Sequence, residues 1–141
     1  MGASAVPAPM PKIDVSAYEC VTDISRLDHW ITRARETGTL GFDTETDSLQ
    51  AASANLVGLS LAVAPGEACY VPLAHGGTDM FAEKPVQIPM EAALAKLRPL
   101  LSDPSVLKIG QNLKYDMSVV ARYDVQITPY DDTMVMSFAL D

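Results

Sequence analysis

The sequence has few basic residues, few cysteines and no long apolar run, and each shortage narrows the functions it can have. Of its 141 residues, 10 are lysine or arginine and 18 are aspartate or glutamate, so the formal net charge is −8. A domain that holds nucleic acid mainly by neutralising phosphates is basic, which disfavours a simple DNA-coating role. A phosphate-bearing ligand would need metal ions to bridge it to this acidic chain.

Cys20 and Cys69 are the two cysteines, and they are far apart with no CxxC pattern. We expect two ordinary buried thiols rather than a disulfide or a zinc site. No apolar run approaches the roughly 20 residues needed to cross a membrane. The opening residues, MGASAVPAPMPK, lack the apolar core of a signal peptide. We therefore expect a cytoplasmic protein with no membrane partner.

The order of the predicted elements indicates the fold class. Residues 1–16 are rich in Ala, Pro and Gly and are interpreted as a linker or an added tail, which leaves 17–141 as one domain. Within that domain the pattern predicts a helix capped at Ser25 with Asp28 and ending at Gly38, then three strands, a helix, a strand and two helices. This order favours an α/β fold: a mixed sheet with an antiparallel three-strand meander, parallel strands and helices on its faces.

Apolar periodicity predicts the extent and the buried face of most elements. The predicted strands are 17–23, 39–46, 54–64, 67–74 and 105–110, and 131–141 is predicted to start a final helix. The buried face of the first helix is predicted to be Leu27, Trp30, Ile31 and Ala34. That of the second is predicted to be Ala93, Leu94, Leu97, Leu100 and Leu101. That of the third is predicted to be Leu113, Met117, Val120 and Ala121, with Asp116 at its margin.

Bunched carboxylates end the predicted strand 39–46. Residues two apart in a strand point to the same side, so Asp43 and Glu45 project together while Thr44 points to the other face. Two adjacent carboxylates cannot both stay ionised cheaply unless a cation neutralises them. With only oxygen ligands, the fitting cations are magnesium, manganese or calcium. The alternative is a solvated acidic strand end, and Asp47 is interpreted as part of a turn.

A second polar group, GQNLKYD, follows the predicted strand 105–110. Asn112 and Asp116 are four residues apart and therefore share one helix face. Alternatively, Asn112 is a plain helix cap and Asp116 a solvated residue. Taken with Asp43 and Glu45, the group lies at the loop-facing edge where open α/β sheets place their sites. Paired metal ions held by such acids can activate water and stabilise the leaving oxygen of a phosphodiester. Metal-assisted phosphoryl transfer is the leading reaction class.

Several segments of the sequence resemble those of a known family. FDTETDSL, followed by ANLVGLSLAV, YVPLAH, PLLSDPSVLKIGQNLKYDMSVV and DDTMVMSFALD, resembles the 3'-5' proofreading exonuclease domain of bacterial DNA polymerase I. This domain is the family A branch of the DEDD exonucleases. The resemblance covers about residues 18–141 and implies an RNase H-like fold.

The resemblance also implies a metal site. Asp43 and Glu45 match the first exonuclease motif of the family, and Asp116 matches the second. It implies two divalent ions, Mg²⁺ or Mn²⁺. Asp43 would bridge both ions, Glu45 would ligate the ion that carries the attacking water, and Asp116 would support the other ion. These three residues are the predicted catalytic and metal-binding residues.

The implied substrate contacts involve four more residues. Thr44 and Leu49 match positions that touch the 3'-terminal nucleotide, with Leu49 against its base. Gln111 and Asn112 match positions that hydrogen-bond the strand near its 3' end. The implied reaction removes one 3'-terminal nucleotide at a time from single-stranded or frayed DNA and releases nucleoside monophosphates. The implied partner is a polymerase module in the same chain, in a bacterial, nucleoid-associated setting.

The sequence departs from the family pattern at its end. The third motif, a Tyr followed four residues later by an Asp, is not found after DDTMVMSFALD. We therefore expect a fragment that lacks the C-terminal helices and the fourth carboxylate, with weak or no activity of its own. Two other functions remain open: a catalytically silent module that positions DNA, and a DEDD exoribonuclease.

Overall fold

The computed structural model describes residues 18–74 and 86–132. Its elements follow one another as β1 (Glu19–Cys20), α1 (Ile24–Thr37), β2 (Thr39–Thr46), β3 (Leu56–Ala64), β4 (Glu67–Pro72), α2 (Met90–Leu101), β5 (Leu107–Gly110), α3 (Leu113–Ala121) and β6 (Tyr130–Asp132). The predicted linker 1–16 and the predicted start of the domain at 17 lie outside the described residues.

The strands form one mixed six-stranded sheet in the order β1-β4-β3-β2-β5-β6. β2, β3 and β4 pair antiparallel, whereas β2 with β5, β5 with β6, and β1 with β4 pair parallel. The predicted meander and the predicted α/β class are both confirmed. β2 is central, and the parallel pairing brings the carboxyl ends of β2 and β5 to the same edge of the sheet.

One hydrophobic cluster joins the sheet to the helices. The buried residues of α1 are Leu27, Trp30, Ile31 and Ala34, as predicted. Those of α2 are Ala93, Leu94, Leu97, Leu100 and Leu101, also as predicted.

Gly38 ends α1 in the left-handed conformation with φ 74°, and its N–H donates to the Ala34 carbonyl. In the described part of the chain, no helix is long and apolar enough to span a membrane.

Three local predictions were wrong. The cap of α1 is Asp23 rather than Ser25, because the Asp23 carboxylate accepts a hydrogen bond from the Arg26 N–H at 2.9 Å. The buried face of α3 includes Asp116 and Val119, whereas Met117 is half-buried against the core and Ala121 is exposed. Cys20 is exposed, because it lies on the two-residue strand β1, whereas Cys69 is buried as expected; both thiols are free.

The start of the predicted final helix is instead a strand. Tyr130–Asp132 forms β6, which pairs parallel with β5 through Lys108↔Tyr130 and Gly110↔Asp132. A polar run of three residues has no periodicity that would reveal a strand, and the pairing depends on β5, whose partner residues lie 22 positions earlier. Residues 133–141 of the predicted helix lie outside the described part of the chain.

A buried lysine fixes the path between β5 and β6. Lys108 on β5 is fully buried, and its Nζ donates to the carbonyls of Asp103, Val106 and Thr128 at 2.7–2.9 Å. Burial lowers the pKa of Lys108. The three carbonyls satisfy all three ammonium donors, which makes burial of the charge tolerable.

Candidate functional site

Alternation along β2 separates two acids from the core. Leu40, Phe42 and Thr44 are buried on one face of the sheet, while Asp43 and Glu45 are exposed on the other. Asp43 pairs across to Ser60 and Glu45 to Gly58. The predicted common direction of the two carboxylates is therefore present.

Gly58 and Tyr70 shape the sheet surface beside Glu45. A Cβ on Gly58 would collide with the Tyr70 ring in its present position, so the ring lies directly over this glycine, which pairs with Glu45. Burial raises the pKa of Tyr70, and the charge of Glu45 acts in the same direction. Sequence reasoning missed Tyr70 because its proximity to Glu45 depends on pairing between three strands.

Asp116 contacts β2 at Thr44, the residue between the two acids. It is 2% exposed, and its Oδ1 accepts a hydrogen bond from the Thr44 N–H at 3.0 Å and a second from the Thr44 hydroxyl. From apolar periodicity, Asp116 was predicted to lie at the margin of the buried face of α3. Periodicity does not show hydrogen-bond donors from other elements. Two donors from Thr44, 72 residues away, allow the carboxylate to be buried.

Burial and nearby negative charge raise the pKa values of Asp43 and Asp116. The sheet surface partly desolvates the Asp43 carboxyl although the residue is exposed, and this desolvation, with the charge of Glu45, raises the pKa of Asp43. Burial raises the pKa of Asp116 to about 6, and the charges of Asp43 and Asp132 act in the same direction. The hydrogen bonds from Thr44 oppose the shift of Asp116. A nearby cation would relieve this repulsion.

Another acid, Asp132, accepts hydrogen bonds at the start of α3. Its two carboxylate oxygens accept the N–H groups of Asn112 and Leu113 at 3.1 and 2.9 Å. Asn112 occupies the cap position with φ 59° and makes no side-chain cap hydrogen bond. Asp132 on β6 therefore caps the start of α3.

The predicted substrate residues fall into two groups. Leu49, Gln111 and Asn112 are exposed, and Leu49 is 97% exposed. Thr44 is buried and bonded to Asp116, so the structure shows its side chain on the opposite face from Asp43. Substrate contact by all four residues stays a prediction.

The described acids do not form a metal-binding cluster. Within residues 18–74 and 86–132, no group of three or more His, Cys, Asp or Glu side chains is arranged to hold a metal ion. The donor set nonetheless fits a hard divalent cation, because it consists of carboxylate oxygens: the charge of Glu45 raises the pKa of Asp43, and the charge of Asp43 raises the pKa of Asp116.

We expect metal affinity to depend on pH. An acid whose pKa is raised in the folded state loses its stabilising proton as the pH rises through about 6, and a cation can then take the place of that proton. Apparent Mn²⁺ affinity should therefore rise from about pH 5 to about pH 7. Calorimetric titration across this range checks it, and Asp116→Asn should flatten the dependence. A steep dependence that survives in Asp116→Asn would contradict the assignment.

The fold is that of the RNase H-like exonucleases. Escherichia coli RNase D, described as an exoribonuclease involved in structured RNA processing, matches with a TM-score of 0.61 and 20% identity over 85% of this chain and 28% of that one. Brucella melitensis NrnC with bound Mg²⁺ matches with a TM-score of 0.56 and 20% identity over 86% of this chain and 50% of that one.

Sequence comparison places the chain more narrowly. A family model described as 3'-5' exonuclease, that of the family A DNA polymerases, matches residues 18–141, and the chain belongs to this family. It is 47% identical to DNA polymerase I of Rhizobium leguminosarum over 91% of this chain. The chain spans only 14% of the length of that relative.

Proposed function

We propose that this chain is the 3'-5' exonuclease domain of a DNA polymerase I. It removes nucleotides hydrolytically from the 3' end of single-stranded or frayed DNA and releases nucleoside monophosphates. The observation that carries this proposal is the junction between the two motifs. The segment Asp43–Glu45 and the distant Asp116 meet through Thr44 at the edge where β2 and β5 end.

Divalent ions supply the chemistry that the side chains lack. We propose two ions, Mg²⁺ or Mn²⁺, held by Asp43, Glu45 and Asp116; the Mg²⁺ bound to NrnC supports the choice of metal. Such ions act as Lewis acids on phosphate oxygens and lower the pKa of water. The protein's part would be to hold three carboxylates at the sheet edge where β2 and β5 end.

The exposed residues around the acids would hold the DNA end. Leu49 offers an apolar side chain, 97% exposed, against which a terminal base can stack. Gln111 and Asn112 offer amide groups at the same sheet edge for the backbone near the 3' end. Recognition that grips one end of one strand explains why a paired terminus must first fray.

The acidity of the domain fits a division of labour. With a net charge of −8, the domain holds only a few nucleotides, through metal ions, and gains little from phosphate neutralisation. A polymerase module in the same longer chain, as in the Rhizobium relative, would supply the basic DNA grip. The protein would then act in the bacterial cytoplasm, at the nucleoid.

An exoribonuclease is the second candidate, favoured by the shared fold of RNase D. The two are separated by comparing kcat/KM for DNA and RNA oligonucleotides of one sequence, using the longer protein that contains this domain. We expect DNA to be degraded in preference to RNA. A preference for RNA would favour the exoribonuclease, and degradation of neither would indicate a silent DNA-positioning module.

A further inference from the structure

The exposed Leu49 stands on a turn that is held firmly at its base. The Asp47 N–H donates to the Asn55 carbonyl at 3.1 Å. The Asp47 carboxylate accepts both the Asn55 N–H at 2.7 Å and the Asn55 side-chain amide at 3.0 Å. Within the turn, the Ser53 N–H donates to the Gln50 carbonyl at 3.0 Å. At the far end of the turn, the Arg122 guanidinium donates to the carbonyl of Ala54, which is buried in the core. These contacts hold the two ends of the turn, and Leu49 lies between them.

Tyr115 on α3 contacts the turn directly beside Leu49. Its hydroxyl donates to the Ser48 carbonyl at 2.6 Å, one residue before Leu49. The same hydroxyl lies 2.6 Å from the Thr46 hydroxyl, which itself reaches the Ser48 carbonyl at 2.9 Å. Tyr115 and Thr46 have one hydroxyl proton each, so when both donate to the Ser48 carbonyl their own contact holds no proton, and when Thr46 donates to Tyr115 instead, Tyr115 still donates to Ser48. The three groups form a closed, half-buried cluster.

Through Tyr115, this cluster connects the Leu49 turn to α3. Tyr115 directly precedes Asp116, whose carboxylate contacts Thr44 on β2. The first turn of α3 thus carries both the candidate metal ligand Asp116 and Tyr115, which contacts the Leu49 turn. A shift of the turn relative to the acids would have to break the Tyr115 hydrogen bond.

We propose that Tyr115 is a positioning residue that fixes the Leu49 turn against α3, so that Leu49 is already in place when a 3'-terminal base arrives. This inference rests on the proposed function of Leu49. A fixed turn lowers the cost of ordering the site on binding, so its loss should appear in KM and much less in kcat. Metal binding should not change, because the Asp116 side chain is untouched.

The test is a double-mutant cycle of Tyr115→Phe and Leu49→Ala in the longer protein, assayed on a single-stranded DNA oligonucleotide. Loss of one hydrogen bond should raise KM roughly twofold to tenfold in Tyr115→Phe. In the Leu49→Ala background the same change should have almost no effect, because the residue being positioned is gone. Additive effects of the two substitutions would overturn the proposal.

A matched control and a second measurement make the result decisive. Tyr123 also bonds the main chain, its hydroxyl accepting the Leu56 N–H at 2.9 Å, but it does not touch the Leu49 turn. Tyr123→Phe should leave KM unchanged. Hydrogen exchange of 47–53 should be faster in Tyr115→Phe than in the parent, whether or not the protein degrades DNA; unchanged exchange overturns the anchor. An unchanged KM in Leu49→Ala overturns the substrate role of the turn but leaves the exonuclease assignment standing.

Discussion

Asp43→Asn should abolish binding of Mn²⁺ and reduce 3'-end hydrolysis by the longer protein on the order of a hundredfold to a thousandfold. Asp43 interacts with both other acids, because the charge of Glu45 raises the pKa of Asp43 and the charge of Asp43 raises the pKa of Asp116, so Asp43 is best placed to serve both ions. Asparagine preserves its shape and removes only the charge. Isothermal titration calorimetry measures the binding, and a single-stranded DNA assay measures the hydrolysis.

The control for this variant is another acid from the same stretch. Asp47 is committed to Asn55 through two hydrogen bonds, so Asp47→Asn should leave the metal affinity unchanged. The metal-free Tm of Asp43→Asn should equal or exceed that of the parent, because the substitution removes repulsion with Glu45. If Asp43→Asn binds Mn²⁺ as tightly as the parent, the site has been assigned to the wrong residues.

Extending the chain should have the second large effect. The third motif that the family resemblance implies would supply a tyrosine and a fourth carboxylate, and no group of three or more acidic, His or Cys side chains among residues 18–74 and 86–132 is arranged to hold an ion. A chain extended through the next Tyr-xxx-Asp should hydrolyse single-stranded DNA on the order of a hundredfold faster than the 141-residue chain.

Two controls separate the missing ligand from poor folding. Circular dichroism should show both chains folded, and the extended chain with its new aspartate changed to asparagine should be as slow as the short one. Equal activity of the short and extended chains would show that the third motif is not needed. The account of an incomplete metal site would then be wrong.

The sequence predicted the elements whose packing is local. The bounds of β2 and the buried faces of α1 and α2 follow directly from apolar periodicity, because these elements bury one continuous apolar stripe. The meander was predictable for a similar reason, since its strands follow one another through short turns. The family resemblance added the fold and the site residues.

Features that depend on distant partners were not predictable. Burial of Asp116 requires donors from Thr44, and the cap of α3 comes from Asp132 on an edge strand of three residues. The Tyr115 contact with Ser48 joins residues 67 apart. In each case the residue is polar and looks like a surface residue in the sequence. Only the sheet order shows what it contacts.

The most direct test of the central claim is the direction and metal dependence of DNA hydrolysis. The longer protein would be incubated with single-stranded DNA labelled at its 5' end, with Mg²⁺ and, in parallel, with a chelator. The account predicts a ladder that shortens one nucleotide at a time from the 3' end, and no ladder with the chelator or in Asp43→Asn. Shortening that persists with the chelator, or that is as fast in Asp43→Asn as in the parent, would contradict it.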